Sequence, residues 1–246
     1  MAYLKLVQEK NIPTLIVVLT ALIFLAVNFD RIFGFIFFMM VVANTLILYG
    51  YKGFKFPITG TRFKPVQVIL LSIAAYGGFL LVSSFAGSFF DPSFSINGIE
   101  KVFALMSQQV PAFTGDRFLS IIAYGILVPI VETMFFFGTL FELTMNQLHT
   151  TPKANLIDNL KTPRTLLAMS VISALFALYH FTVRQTAANF DSAMVIIFIF
   201  GMISCMLVLK FRRTAEAIGM HNVANILAML MRYGFISIVG AGAILG

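Results

Sequence analysis

Residues 129–138 read Pro-Ile-Val-Glu-Thr-Met-Phe-Phe-Phe-Gly and place one carboxylate, Glu132, in the middle of a long apolar run. A charge at bilayer depth is costly, so ionisable residues inside membrane helices face a cavity or the bundle interior and have specific partners. Two later apolar segments each carry one histidine, His180 and His221, whereas His149 lies in a polar connection. The pattern predicts that Glu132 meets these two histidines in one polar cavity.

The composition of the chain is that of a polytopic membrane protein. Of its 246 residues, 59% are hydrophobic and 11% are charged, which lies far outside the balance of a soluble domain. The net charge of +7 would suggest nucleic acid in a soluble protein. Here the basic residues lie in connections between apolar runs, so no nucleic-acid partner is expected. The single cysteine, Cys205, lies in an apolar run and is predicted to pack as a small hydrophobe.

Apolar runs of about 20 residues predict membrane-spanning helices. Seven runs qualify: 13–28, 32–49, 65–90, 118–144, 165–183, 192–209 and one that begins near residue 214. The apolar tail, 235–246, is short for a further span and would make an eighth only as a re-entrant or extended piece. The predicted fold is therefore an all-α, polytopic integral membrane bundle of seven helices, or eight if the tail is counted.

Charge in the connections predicts the orientation of the bundle. Basic residues precede the first run and follow the second, fourth and sixth runs: Lys5, Lys10, Lys52, Lys55, Arg62, Lys64, Lys153, Lys161, Arg164, Lys210, Arg212 and Arg213. Because cytoplasmic loops carry an excess of lysine and arginine, these connections and the N-terminus are expected on the cytoplasmic side. No small-residue cleavage site follows the polar N-terminus, so the first run is expected to be retained as a span.

The longest outer connection contains a helical pattern of its own. After Asn97, apolar residues recur at helical spacing, and Glu100 follows three residues later as in a capping box. This pattern predicts a short helix that lies in the membrane interface or packs across the mouth of the bundle. The chain is divided accordingly into residues 1–117, with three spans and this outer helix, and residues 118–246, a core bundle that carries the candidate site.

Three motifs in the core bundle resemble those of the CAAX protease and bacteriocin-processing family of intramembrane proteins, also called the Abi family, which includes the CAAX prenyl endopeptidases. The family motifs read Glu-Glu-x-x-x-Arg, Phe-x-x-x-His and His-x-x-x-Asn. The second is present as Phe176 with His180 and the third as His221 with Asn225. In the first motif Glu132 is present, and the resemblance spans roughly residues 118–232.

The resemblance implies a role for each of four residues and no metal or other cofactor. Glu132 would be the general base that activates water, and His180 would share that water. His221 and Asn225 would hold the oxyanion of a tetrahedral intermediate. From the residues alone, the alternatives are a protonated structural acid at Glu132, a core histidine at His180 and an interhelical hydrogen-bonding pair at His221 and Asn225. One Glu and two His could also bind zinc, although the His-Glu-x-x-His signature is absent from the sequence.

The first motif departs from the family pattern at two positions. Thr133 stands where the family has its second glutamate, and Phe137 stands where it has its arginine. The two positions are neighbours at i and i+4 on a helix, where the family's charged residues could pair. Replacing both members of a buried pair by neutral groups can be nearly free, whereas removing one leaves a costly orphan charge. The joint change therefore predicts a repacked helix.

The sequence favours a glutamate-dependent intramembrane endopeptidase, similar to CAAX prenyl proteases, that cleaves a peptide or a lipid-modified tail in a membrane cavity. Its partners would be the bilayer and a peptide or prenylated protein substrate. The alternative is a non-catalytic relative that acts as a membrane scaffold, an assembly partner or a bacteriocin-immunity protein. A transporter is disfavoured, because the sequence has one central acid and no visible inverted repeat.

Overall fold

The structure of the protein is a computed structural model that describes residues 64–92, 94–109, 117–184 and 190–236. These ranges contain helices and no strand. The helices are α1 (Pro65–Gly87), α2 (Phe94–Gln109), α3 (Arg117–Gln147), α4 (Leu156–Leu160), α5 (Pro163–Arg184), α6 (Phe190–Phe211) and α7 (Ala215–Arg232). The apolar runs 13–28 and 32–49, and the tail beyond residue 236, lie outside the described residues. The predicted all-α membrane bundle is confirmed.

Three helices of the described part are long and apolar enough to cross a membrane: Pro65–Gly87, Arg117–Gln147 and Ser192–Phe211. Helices α5 and α7 form where two further spans are predicted. Along α1, large apolar side chains such as Leu70, Leu81 and Phe85 are more than half exposed. Such a surface is suited to lipid and not to water.

Helix α3 is regular only in part, and its irregularity surrounds Glu132. The turn Val128–Thr133 is α-helical, but Ile121–Leu127 before it and Met134–Leu140 after it are π-helical. Pro129 contributes to the π-helical turn before it, because proline lacks the N–H that an α-helix requires of an interior residue. Val128 N–H accordingly donates five residues back, to Ala123 O. Wide turns of this kind occur mostly at functional sites.

Small residues allow the helices around the site to approach closely. A Cβ on Gly201 of α6 would lie 2.9 Å from the backbone of Ser173 on α5. A Cβ on Gly219 of α7 would lie 2.1 Å from Ser72 Oγ on α1. Ser72 Oγ also donates to Glu216 O of α7 at 3.3 Å. These contacts fix α5 against α6 and α1 against α7, as small residues do in membrane bundles.

Aromatic rings fill the core between α3, α5 and α6. Phe176 of α5 lies 4.9 Å from Phe137 and 5.2 Å from Phe136, measured between ring centroids, and Phe79 lies 5.2 Å from Phe200. Aromatic contacts of this geometry contribute about 0.5–1.5 kcal/mol each beyond burial. Cys205 is a fully buried free thiol, as predicted. The rings surround the polar site with a rigid apolar wall.

Helix α2 forms in the connection where the sequence predicts a short helix, and it packs on the bundle against α1 and α7. Its residues Val102, Leu105 and Met106 are buried. The helix begins at Phe94 and not after Asn97, whose φ of −126° and ψ of 38° mark a kink. Arg232 at the end of α7 donates to Ser107 O at 3.1 Å and holds the two helices together. Helix α2 is therefore held against the bundle by apolar burial and by this hydrogen bond.

Candidate active site

The four predicted site residues come from three helices and meet in the core. Glu132 lies on α3, His180 on α5, and His221 and Asn225 on one face of α7. Their exposed fractions are 2%, 6%, 2% and 5%, so none of the four faces lipid. Helices that are distant in sequence thus bring an acid, two imidazoles and an amide into one buried polar cluster.

The carboxylate of Glu132 lies between the two imidazoles. Its Oε2 atom is 3.6 Å from His221 Nε2 and 3.9 Å from His180 Nε2. Tyr179 donates its hydroxyl to the other carboxylate oxygen, Oε1, at 3.0 Å. The two oxygens therefore have different surroundings: Oε1 is held by a phenol, and Oε2 faces both histidines.

The spacing of the Phe-x-x-x-His motif determines the state of His180. Its Nδ1 atom lies 3.0 Å from the carbonyl oxygen of Phe176, four residues earlier on the same helix. A carbonyl can only accept, so in this contact Nδ1 carries the proton, and a neutral His180 presents the lone pair of Nε2 to the site. The ring centroid of Phe176 lies 4.3 Å from that of the His180 imidazole, so the phenyl ring limits rotation of the imidazole. Phe176 thus orients His180 through both its backbone and its side chain.

Asn225 is positioned by the irregular turn in α3. Because Val128 N–H donates to Ala123 and Pro129 has no N–H, the carbonyl of Tyr124 is available to a side chain. Asn225 Nδ2 donates to Tyr124 O at 2.9 Å. This bond uses one of the two N–H groups of the amide. Asn225 thereby retains a second donor.

Tyr179 was not predicted as a site residue. It immediately precedes His180, and residues one apart on a helix do not face each other, so the spacing rule that groups His221 with Asn225 does not apply to it. The available signal was chemical, since a phenol in an apolar helix needs a partner for its hydroxyl. Its partner is the carboxylate of Glu132.

The two departures from the first motif have different surroundings. Thr133 is fully buried, and its Oγ1 lies 3.0 Å from His221 Nδ1. Phe137 is also fully buried, and its ring packs on Phe176 and Phe136. An aromatic contact thus occupies the arginine position, and a hydroxyl contact occupies the glutamate position.

A small cavity adjoins the site. Its walls are Met106, Phe176, His180, Ile197, Phe200, His221 and Asn225, and it has room for about one water molecule. Three of the four predicted residues thus line one cavity, whereas Glu132 is not among its walls and contacts two of them, His180 and His221. The side chain of Met106 brings α2 into contact with the same space. A peptide does not fit without movement of this wall.

The donor set also meets the chemical requirements of a metal site. One ligand atom each from Glu132, His180 and His221 lies within 4.8 Å of the other two. Zinc accepts a carboxylate and two imidazoles with an open fourth position. An imidazole whose Nδ1–H is bonded to a carbonyl, as in His180, is a common form of metal-ligating histidine. Geometry alone therefore leaves both a metal-free and a zinc-dependent chemistry open to test.

The fold and the site together define an intramembrane helical bundle with a buried acid, two histidines and an amide at its centre. Residues 114–227 match the family model described as "Type II CAAX prenyl endopeptidase Rce1-like", and the match includes all three motifs. This part of the chain is therefore similar to the CAAX prenyl endopeptidases, and the resemblance predicted from the motifs is confirmed. In comparisons with curated proteins and with solved structures, nothing matched the chain.

Proposed function

We propose that the protein is a glutamate-dependent intramembrane endopeptidase that hydrolyses a peptide bond in a peptide or lipid-modified tail. The observation that carries this proposal is the position of Glu132 Oε2 beside the Nε2 atoms of both His180 and His221. A carboxylate beside a phenol and two imidazoles can gain and lose a proton, which general-base catalysis requires. The family match supports the same reaction.

In the proposed reaction, the Glu132 carboxylate removes a proton from water, and the water oxygen attacks the carbonyl carbon of the scissile bond. His180 Nε2 accepts a hydrogen bond from the second O–H of that water and so holds its lone pair toward the substrate. The carbon–nitrogen bond then breaks, and the proton held by Glu132 passes to the leaving amine. The products are a carboxylic acid and an amine, and the carboxylate of Glu132 is restored.

The negative oxygen that forms during attack requires hydrogen-bond donors. His221 Nε2–H and the second N–H of Asn225 supply them from one face of α7. Loss of one such donor typically lowers kcat by about 10² to 10³. Neutral donors suit this role. An uncharged His221 and Asn225 can stabilise the oxyanion without forming an ion pair that neutralises the Glu132 carboxylate.

Substrate entry would require α2 to move. Met106 of α2 forms part of the cavity wall, and the cavity admits about one water molecule. The bond from Arg232 to Ser107 O ties the end of α2 to α7. We infer that a substrate tail displaces this contact when it reaches His221 and Asn225.

The second candidate function is a non-catalytic relative in which the cavity binds a peptide without cutting it, as a scaffold, assembly or immunity protein would. The small cavity and the neutral residues Thr133 and Phe137 favour it. A cleavage assay separates the two functions.

We predict that detergent-purified wild-type protein cleaves at least one member of a panel of prenylated and unprenylated tail peptides. Glu132→Gln should lower that rate by about 10² to 10⁴. Glu142→Gln changes an equally buried acid of the same helix and should retain the rate. No cleavage by any of the three proteins would favour the scaffold, assembly or immunity function.

We also propose that the N-terminus and the basic connections are cytoplasmic. The connection between α3 and α5 carries Lys153 and Lys161, and Arg164 lies in the first turn of α5. A cysteine or reporter at Lys153 should be labelled from the cytoplasmic side. Labelling from the outside alone would reverse the orientation.

A further inference from the structure

Thr133 contacts the candidate site through a single hydroxyl. It follows Glu132 in the sequence and is fully buried, and its Oγ1 lies 3.0 Å from His221 Nδ1. A hydroxyl can either donate to or accept from an imidazole nitrogen, so the direction of this bond depends on the tautomer of His221. The other ring nitrogen decides between the two directions.

The surroundings of Nε2 favour one tautomer. His221 Nε2 lies 3.6 Å from Glu132 Oε2, and an ionised carboxylate accepts hydrogen bonds but does not donate them. His180 already presents its Nε2 lone pair toward this oxygen, so a proton on His221 Nε2 gives Oε2 an attractive contact, whereas a second lone pair would surround it with acceptors. A neutral imidazole with its proton on Nε2 has its lone pair on Nδ1. That lone pair needs a donor, and Thr133 supplies one.

The two aromatic rings that contact His221 do not supply that donor. The ring centroids of Phe200 and Phe176 lie 5.1 and 5.8 Å from the centroid of the His221 imidazole. A phenyl ring has no N–H or O–H group that could donate to Nδ1. Of the titratable groups, Glu132 is near Nε2, and His180 and Tyr179 contact Glu132. The Thr133 hydroxyl is therefore the group at Nδ1.

We propose that Thr133 is a positioning residue whose hydroxyl donates to His221 Nδ1 and so fixes the tautomer that presents Nε2–H to the site. This inference rests on the proposed function, in which His221 Nε2–H stabilises the oxyanion. It explains why a neutral hydroxyl at the position of the motif's second glutamate is compatible with the chemistry. A carboxylate at residue 133 could only accept, and would draw the proton of His221 to Nδ1.

The kinetic test uses three substitutions at this position. Thr133→Val keeps the shape of the side chain and removes the donor, so kcat should fall by about 10² while KM changes little. Thr133→Ser retains a hydroxyl and should keep kcat within a few-fold of wild type. Thr133→Glu replaces the donor by an acceptor and should not raise kcat. Wild-type kcat in Thr133→Val would overturn the proposal.

A spectroscopic test does not depend on cleavage. In protein labelled with ¹⁵N-histidine at alkaline pH, protonated and unprotonated ring nitrogens give well-separated signals, and His221→Gln assigns those of residue 221. Wild type and Thr133→Ser should show the proton on Nε2, and Thr133→Val should show a mixture or the Nδ1–H form. A proton on Nδ1 in the wild type, or the same tautomer in the wild type and in Thr133→Val, would overturn the positioning role even if the protein cleaves peptides. The expected tautomers without any cleavage would instead contradict the proposed function alone.

Discussion

Two buried glutamates, Glu132 on α3 and Glu216 on α7, show opposite solutions to the burial of a carboxylate. Glu216 is fully buried and accepts hydrogen bonds from Arg213 Nε at 2.9 Å to Oε1 and 3.0 Å to Oε2, and from the Arg213 Nη2 atom as well. Glu132 is as deeply buried, but it contacts a phenol and two imidazoles. One acid therefore faces a permanent charge, and the other faces groups that can exchange protons.

The difference separates a structural acid from a candidate catalytic one. The hydrogen bonds to Glu216 raise the pKa of Arg213, so the guanidinium stays charged and keeps its carboxylate charged. Glu216 also lies in the first turn of α7, where a negative charge is favoured by the helix dipole. The contacts of Glu132 with Tyr179, His180 and His221 instead involve groups that can donate or accept a proton, which suits a carboxylate that accepts and returns one.

The largest effect is expected at Glu132 and His180 together. If both act on one water, His180→Gln and Glu132→Gln should each lower the cleavage rate by about 10² to 10⁴. The double variant should then be little slower than either single one, because losing either disables the pair. Single-turnover rates of the three variants measure this. Independent, multiplying effects would show that the two residues do not share a water.

A smaller effect, on stability and not on chemistry, is expected at Glu216. Glu216→Gln leaves the buried guanidinium of Arg213 without its carboxylate and should destabilise the protein by about 3 kcal/mol. Arg213→Met with Glu216→Gln removes both charges and should recover much of that loss. Chemical denaturation in detergent measures both, alongside the cleavage rate of the folded fraction. A rate loss at Glu216 without a stability loss would contradict the contrast.

The smallest effect is expected at Tyr179. Tyr179→Phe removes one hydrogen bond to the carboxylate of Glu132, which corresponds to about a tenfold decrease in kcat. Tyr76→Phe is a matched control, because among the described residues the buried Tyr76 hydroxyl has no hydrogen-bond partner. It should leave kcat unchanged. Equal rates for Tyr179→Phe and Tyr76→Phe would show that the phenol does not position the base.

The sequence predicted the helices and the meeting of the four site residues because both depend on patterns that the chain displays. Apolar run lengths located α1, α3, α5, α6 and α7 to within a few residues, and a charged residue inside an apolar run is a signal by itself. The spacing of His221 and Asn225 placed them on one helix face.

The remaining features depend on contacts between helices, which no local pattern encodes. That Tyr179 faces Glu132 is set by the rotation of α5 in the bundle. That Thr133 meets His221 is set by how α3 crosses α7. The bond from Asn225 to Tyr124 O requires the π-helical turn before Pro129, and a proline in an apolar run predicts a kink but not its form.

The cleavage rate of Glu132→Gln relative to wild type, in chelator-treated and detergent-purified protein, decides whether this carboxylate is the base. The wild type should cleave after chelation, and Glu132→Gln should be slower by at least about 10² at unchanged thermal stability. Wild-type rates in Glu132→Gln would contradict a role for this carboxylate as the base. Activity that the chelator abolishes and zinc restores would instead assign Glu132, His180 and His221 to a metal.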